Sequence, residues 1–159
     1  MASSYTSRIN LELQADGENP NSWGDILNNN VIQLVDDAVA AYTSVTLSST
    51  DYTLTTNDGS TDQARSAMLE IVGTVSSDSN LIIPGVSKFY IIKDKSVRQN
   101  SSAIKIKTAA GTGYTVAASA TKLIFSDGVS VYETDGMGAT VCVTNLFAQT
   151  GNFTACVST

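Results

Sequence analysis

By number, the side chains most able to do covalent chemistry are hydroxyls, 20 serines and 19 threonines in 159 residues. None lies in Gly-x-Ser-x-Gly, and the chain has no histidine. A hydrolytic nucleophile would therefore need a lysine base such as Lys88 or Lys122, and no spacing argues for one. The missing imidazole also removes the commonest transition-metal ligand. Paired carboxylates occur at Asp16 with Glu18, Asp36 with Asp37 and Asp58 with Asp62. Two of these pairs fall in turns and one on the outer face of a helix, where carboxylates are solvated. A glycosidase needs a raised-pKa acid held in a cleft. The Asp-Gly turns lack the alternating Asp-x-Asp-x-Asp-Gly and distal Glu of a calcium loop. Gly111-Thr112-Gly113 lacks the third glycine and the following helix of a dinucleotide fingerprint and reads as a loop. The expectation is a non-enzymatic protein with no catalytic residue, metal or cofactor.

Composition narrows the partners. Ser, Thr and Asn (11 of the last) make up nearly a third of the chain, and only 15% of residues are charged. The surface is hydroxyl and amide more than ionic. Nine basic against fifteen acidic residues give a net charge of −6, the wrong sign for nucleic acid. No stretch approaches the ~20 apolar residues of a membrane-spanning helix. The first residues have no basic cluster or apolar run of a secretory signal, so the expectation is synthesis in a cytosol. The 42% apolar content suits one domain with a real core.

The elements follow from periodicity. Ile9, Leu11 and Leu13 alternate with polar residues and predict a strand over 8–15. Turn formers follow, then Ser22 three residues ahead of Asp25 in a near capping box, which predicts a helix over 23–42. Leu27, Val31, Leu34, Val35, Ala38 and Tyr42 are its apolar positions, with Leu27, Val31, Leu34 and Ala38 the expected packing stripe, and Trp23 reads as an anchor of its start in the core, a ligand platform being the alternative. The stripe could also meet copies of itself, but two heptads do not make a coiled coil. Beyond Tyr42 the period drops to 2. Strands are expected around 45–47, 52–54, 69–71, 81–83, 88–93, 104–106, 123–125 and 129–132. Phe89 to Ile92 are apolar at consecutive positions, the mark of a strand covered on both faces. Ile104 and Ile106 alternate with Lys105 and Lys107, leaving one wet, basic face. Ser126-Asp127-Gly128 between apolar runs signals a hairpin. No period of 20 to 50 residues recurs, which argues against a solenoid. The fold class expected is mainly β with one N-terminal helix, an antiparallel β-sandwich or barrel-like domain.

The segment 5–15, followed by Gly17-Glu18-Asn19-Pro20-Asn21-Ser22-Trp23-Gly24-Asp25 and Leu27-Asn28, resembles the opening module of tail-fibre and other virion structural proteins of marine tailed phages, cyanophages especially. The likeness continues in order through Tyr42-Thr43-Ser44-Val45-Thr46-Leu47, Tyr52-Thr53-Leu54-Thr55, residues 62–69, Ile83-Pro84, Lys88-Phe89-Tyr90 and 122–128. The Gly-Glu-Asn and Trp-Gly segment is its specific part. The resemblance implies a fibre-like module over 1–135 and a non-enzymatic virion component, a short tail-fibre or spike subunit, commonly trimeric. Its partners would be itself, other virion proteins and a host surface glycan. A capsid decoration protein and a carbohydrate-binding module are the alternatives, with a polysaccharide-degrading enzyme further off. A solvent-facing aromatic row would favour binding, and a cleft with two carboxylates would favour the enzyme.

Residues 136–159 read as a C-terminal hairpin extension, with Val141 and Val143 facing Phe153, Ala155 and Val157. A register centred on Gln149 sets Cys142 opposite Cys156, at the roughly 4.5 Å Cα separation of a non-hydrogen-bonded pair, the short end of disulfide reach. Two reduced thiols are the alternative, which cytosolic synthesis favours. Closing a ~15-residue loop would stabilise the hairpin by about 3 kcal/mol in the chain-entropy model. Non-reducing peptide mass spectrometry decides the matter. A bridge would appear as a linked Cys142–Cys156 peptide, and two alkylatable thiols per chain would exclude it.

Overall fold

A computed structural model describes residues 3–134. The terminal hairpin with Cys142 and Cys156 lies outside the described residues. The chain is mainly β, with one helix near its start. A short antiparallel pair, β1 (Ser4–Tyr5) and β2 (Glu12–Leu13), precedes the helix α1 over 23–40. The strands then run β3 (Tyr42–Thr46), β4 (Tyr52–Thr53), β5 (Met68–Val72), β6 (Thr74–Val75), β7 (Ser79–Ile83), β8 (Ser87–Asp94), β9 (Val97–Arg98), β10 (Ile104–Thr108), β11 (Gly113–Val116), β12 (Thr121–Asp127) and β13 (Val131–Glu133).

Their pairing corrects the expectation of an antiparallel sandwich or barrel. The five-stranded sheet β13-β12-β8-β5-β3 and the four-stranded sheet β11-β10-β7-β4 are both mixed, and neither closes. β3, β5 and β8 pair in parallel, as do β4, β7 and β10, and β6 with β9. The chain therefore winds. β3 and β4 form a first coil, β5 to β7 a second and β8 to β10 a third, each lying in register on the one before. Antiparallel β11, β12 and β13 extend the sheets beyond the third coil. A coiled repeat is present where the sequence reading expected none. Tyr42 pairs with Met68 and Met68 with Ile91, while Tyr52 pairs with Leu81 and Leu81 with Ile106. These steps differ in length from coil to coil, because the corners between strands differ, and a search at one fixed period finds nothing.

Stacking requires that inward positions be apolar coil after coil. Val45, Leu69, Ile71, Leu81, Tyr90, Ile92, Ile104, Ile106, Val116, Ile124 and Val131 meet that condition in one continuous core shared by both sheets. Lys105 on β10 is exposed between buried Ile104 and Ile106, as alternation requires. The Asp-Gly hairpin forms as expected: Ser126 pairs with Val131, Gly128 adopts φ +100°, and Asp127 Oδ1 accepts from the N–H groups of Val129 and Ser130 at 2.7 Å each.

The N-terminal region departs further. Residues 7–9 form a turn, Asn10 sits at φ +51°, and the 8–15 strand shrinks to β2, where Glu12 is buried and Leu13 exposed. The inversion has a polar cause, since Ser3 and Asn30 donate to the Glu12 carboxylate at 2.6 and 2.7 Å. α1 ends two residues before the expected 42, and Tyr42 opens β3. Ser22 caps nothing; its hydroxyl turns back to the Asn19 carbonyl. Asn28 to Ile32 wind as a π turn, with one residue more per hydrogen-bonded ring than an α turn. The extra residue breaks the 3.6 phase, so Trp23 does not share a face with Leu34. Leu34 is fully buried, Leu27, Val31 and Ala38 are half-buried, and Trp23 is 61% exposed, which corrects its reading as a core anchor.

One close approach holds the far end of the stack. A Cβ at Gly111 would lie 1.6 Å from the Val129 carbonyl oxygen and 2.7 Å from Thr108 Oγ1, and both belong to the packed β10 and β12–β13 ends. Gly24, by contrast, has open space around it. Gly111→Ala is expected to cost about 1–3 kcal/mol through forced backbone movement. Gly24→Ala, on the helix, should be neutral or stabilising by about 0.5–1 kcal/mol. Urea denaturation of the two variants beside the parent checks both.

Candidate functional site: a polar pin and an open apolar band

Two features stand out from the core. The first is polar, where the loop between β4 and β5 crosses the start of β8. Lys88 donates from Nζ to three successive carbonyls, those of Ala64 (2.7 Å), Arg65 and Ser66 (3.0 Å), and lies 4.3 Å from the Tyr90 ring centroid. The Tyr90 hydroxyl donates to the Ala64 carbonyl at 3.0 Å. Arg65, almost wholly buried, pairs with Asp62 at 3.2 Å and donates to the carbonyls of Ile9, Asn57 and Ser60. Burial holds the Lys88 ammonium down at about 8 and pushes the Tyr90 hydroxyl upward.

A cavity of about 170 Å³ opens beside these groups, between the β1–β2 hairpin, the 55–66 loop and β8. Its one carboxylate is Asp62, buried and already bonded to Arg65, to the Arg65 N–H and to the Asn57 N–H. That placement corrects the reading of Asp58 and Asp62 as a solvated pair: Asp58 is exposed and Asp62 is not. Lys88 spends its donors on carbonyls, and Arg65 does likewise apart from its bond to Asp62. The cluster fastens backbone and offers an incoming ligand little. Asp16 and Asp36 are exposed, and Glu18 accepts from the Ala15 N–H. Among the described residues no group of three or more His, Cys, Asp or Glu side chains could hold a metal ion.

The second feature is the outer face of the five-stranded sheet. Because side chains alternate, cross-strand register sorts this face into rows. Tyr132, Phe125 and Phe89 form an aromatic row across β13, β12 and β8. Phe125 and Tyr132 stack with centroids 5.3 Å apart. Leu123, Ile91, Met68 and Tyr42 form the next row across β12, β8, β5 and β3. Phe89 is 59%, Tyr132 44% and Phe125 40% exposed, while the alternate residues Tyr90 and Ile92 are in the core. The expectation that Phe89 to Ile92 are covered on both faces is thus corrected: within one chain only one face is covered.

Polar rows flank the band. On one side Asp127 pairs with Ser87. On the other lie Thr121, Lys93, Glu70 and Ser44. Glu70 accepts from Lys95 at 2.6 Å, from the Tyr42 hydroxyl and from Ser44, and these bonds hold its carboxyl down at about 2. The helix carries a smaller open stripe of Ile32, Val35 and Val39, spaced by three and four residues.

Sequence reasoning missed the pin altogether, since Lys88, Arg65 and Asp62 come together only when the 55–66 loop folds back. It found Phe89, Ile91, Leu123, Phe125 and Tyr132 as strand residues and misjudged their cover, and it placed Tyr42 in the helix. Searches against family models, curated proteins and solved structures return no match to the chain. The reading of function therefore rests on these surfaces.

The Glu70 corner yields a pH test. Its folded pKa of about 2 lies below the usual 4.5, so its contribution to stability is fully present above about 4.5 and is lost as pH falls through about 2. Melting temperatures from pH 6 down to pH 2 should fall more steeply for the parent than for Glu70→Gln. Parallel curves would show that the carboxylate contributes nothing.

Proposed function

We propose that this protein is a non-enzymatic structural subunit of a phage particle, of the short tail-fibre or spike type, which assembles as a homotrimer. The observation that carries the proposal is the open two-row apolar band bounded by polar rows. A lone chain gains nothing from keeping such a band wet, and large contiguous apolar patches mark interaction surfaces. The resemblance of residues 5–28 to the opening module of tailed-phage virion proteins supports the same reading. So does the wound architecture, whose hydroxyl-rich exterior suits a part that is displayed and does no chemistry.

The aromatic row Tyr132–Phe125–Phe89 favours a second reading, a carbohydrate-binding module, because sugars stack on such rings. The neighbouring row weighs against it: Leu123, Ile91 and Met68 offer neither a ring face nor a hydrogen bond to a hydroxylated ligand. A capsid decoration subunit would use the same self-associating chemistry and differs only in where it sits.

Light scattering of the purified chain is expected to give three times the 16.7 kDa chain mass, and mass spectrometry of purified particles should find the chain at a copy number that is a multiple of three. A stable monomer that is also absent from particles would overturn the proposal. A copy number in the hundreds would move the chain from the tail to the capsid.

A further inference from the structure

Deepening the proposed assembly, and resting on it for the identity of the partner, we infer that the surface joining the copies is the outer face of the five-stranded sheet, centred on Phe89, Phe125 and Tyr132. The helix stripe is not that surface. The argument begins with area. An aromatic side chain presents ~150–250 Å², and the five open side chains of the band (Phe89, Ile91, Phe125, Tyr132 and Tyr42) are each between 37% and 59% exposed. That leaves about 450 Å² of open apolar side-chain surface. A standard interface takes roughly 800 Å² from each partner, a little over half of it apolar, which is again about 450 Å². One band is one partner's share. The helix stripe, with three aliphatic side chains, falls well short of that.

Charge supports the same choice. Copies of a chain at net −6 repel one another, so a self-associating face must be locally neutral. The two apolar rows contain no ionisable side chain except the Tyr42 and Tyr132 hydroxyls. Of the two flanking rows, the Glu70 row is balanced within the chain, with Lys95 at 2.6 Å and Lys93 at 4.0 Å from Glu70 Oε1, and the other sets Asp127 beside Ser87, whose hydroxyl accepts from Arg8 Nε at 3.1 Å. The helix stripe has Asp36 and Asp37 beside it and no basic residue in its last turn, so two copies meeting there would bring like charges together. The layout of the sheet face, an apolar centre inside a polar rim, is also the usual anatomy of a protein–protein interface.

The test uses the full chain and three exposed positions. Phe125→Asp and, as an independent second variant, Phe89→Asp place a carboxylate at the centre of the band, and Val39→Asp places one in the helix stripe. Circular dichroism confirms that each is folded, and light scattering reads its mass. The expected result is an oligomeric parent, monomeric sheet variants and an oligomeric Val39→Asp. Dissociation of Val39→Asp along with both sheet variants would overturn the exclusion of the helix stripe. Folded sheet variants that stay oligomeric overturn the inference while leaving the homo-oligomer reading intact. A monomeric parent overturns the inference, and together with absence from purified particles it overturns the homo-oligomer reading as well. If that monomeric parent binds soluble glycans and Phe125→Asp does not, the face belongs to a carbohydrate ligand.

Discussion

A chain that winds back on itself must turn corners, and at every corner carbonyl groups risk being buried without a donor, at a cost of about 1–3 kcal/mol each. The corner over residues 64–66 is the critical one here. Three successive carbonyls point at one place, and a single ammonium, that of Lys88, answers all three. Arg65, from the middle of the same corner, reaches the other way and holds the Asn57, Ser60 and Ile9 carbonyls. The third coil, the 55–66 loop and the N-terminal hairpin are thereby joined through two cations. The apolar core supplies most of the stabilisation, but it does not dictate where the loop lies. The pin does, and with it where β5 enters the sheet.

Once β5 is placed, the rows on both of its faces follow. Inward, Leu69 and Ile71 stack between Val45 of the previous coil and Ile92 of the next. Outward, Met68 and Glu70 become the second strand of the band and of its charged rim. The open face is thus a product of register: its aromatic row lies across the antiparallel strands β13, β12 and β8, and its second row runs from these onto the parallel strands β5 and β3. Lys95 and Glu70 meet in the same way, across the turn that follows β8.

This explains what could be read from the sequence and what could not. Period-2 alternation located most strands of the two large sheets and missed the two-residue strands β1, β6 and β9, the Asp127-Gly128 turn located its hairpin, and the shift at Tyr42 marked the end of the helix within two residues. Those signals are local. Parallel or antiparallel pairing is not, because both put alternate residues inside. β8 was legible as a strand, yet four consecutive apolar residues look the same whether the second face is buried by its own chain or left open. Trp23 was misplaced by the Asn28 to Ile32 turn, since a helix wheel drawn at 3.6 residues per turn has no room for an inserted residue. Arg65 escaped notice and Asp62 was read as one of a solvated pair, because nothing in their spacing distinguishes a buried ion pair from two surface charges.

The unequal steps between coils bear on how such a molecule can vary. In a winding chain the core registers only which residues point inward on each strand, and the corners between strands are free to differ. The distance from Tyr52 to Leu81 already exceeds that from Leu81 to Ile106 without disturbing either pairing. Outer corners that hold none of the pin's partners are therefore natural places for a lineage to add or trade residues, as loops closing between fixed strands pay only a slow logarithmic entropy for added length. A body of this kind can keep its sheet faces unchanged while its edges are rewritten.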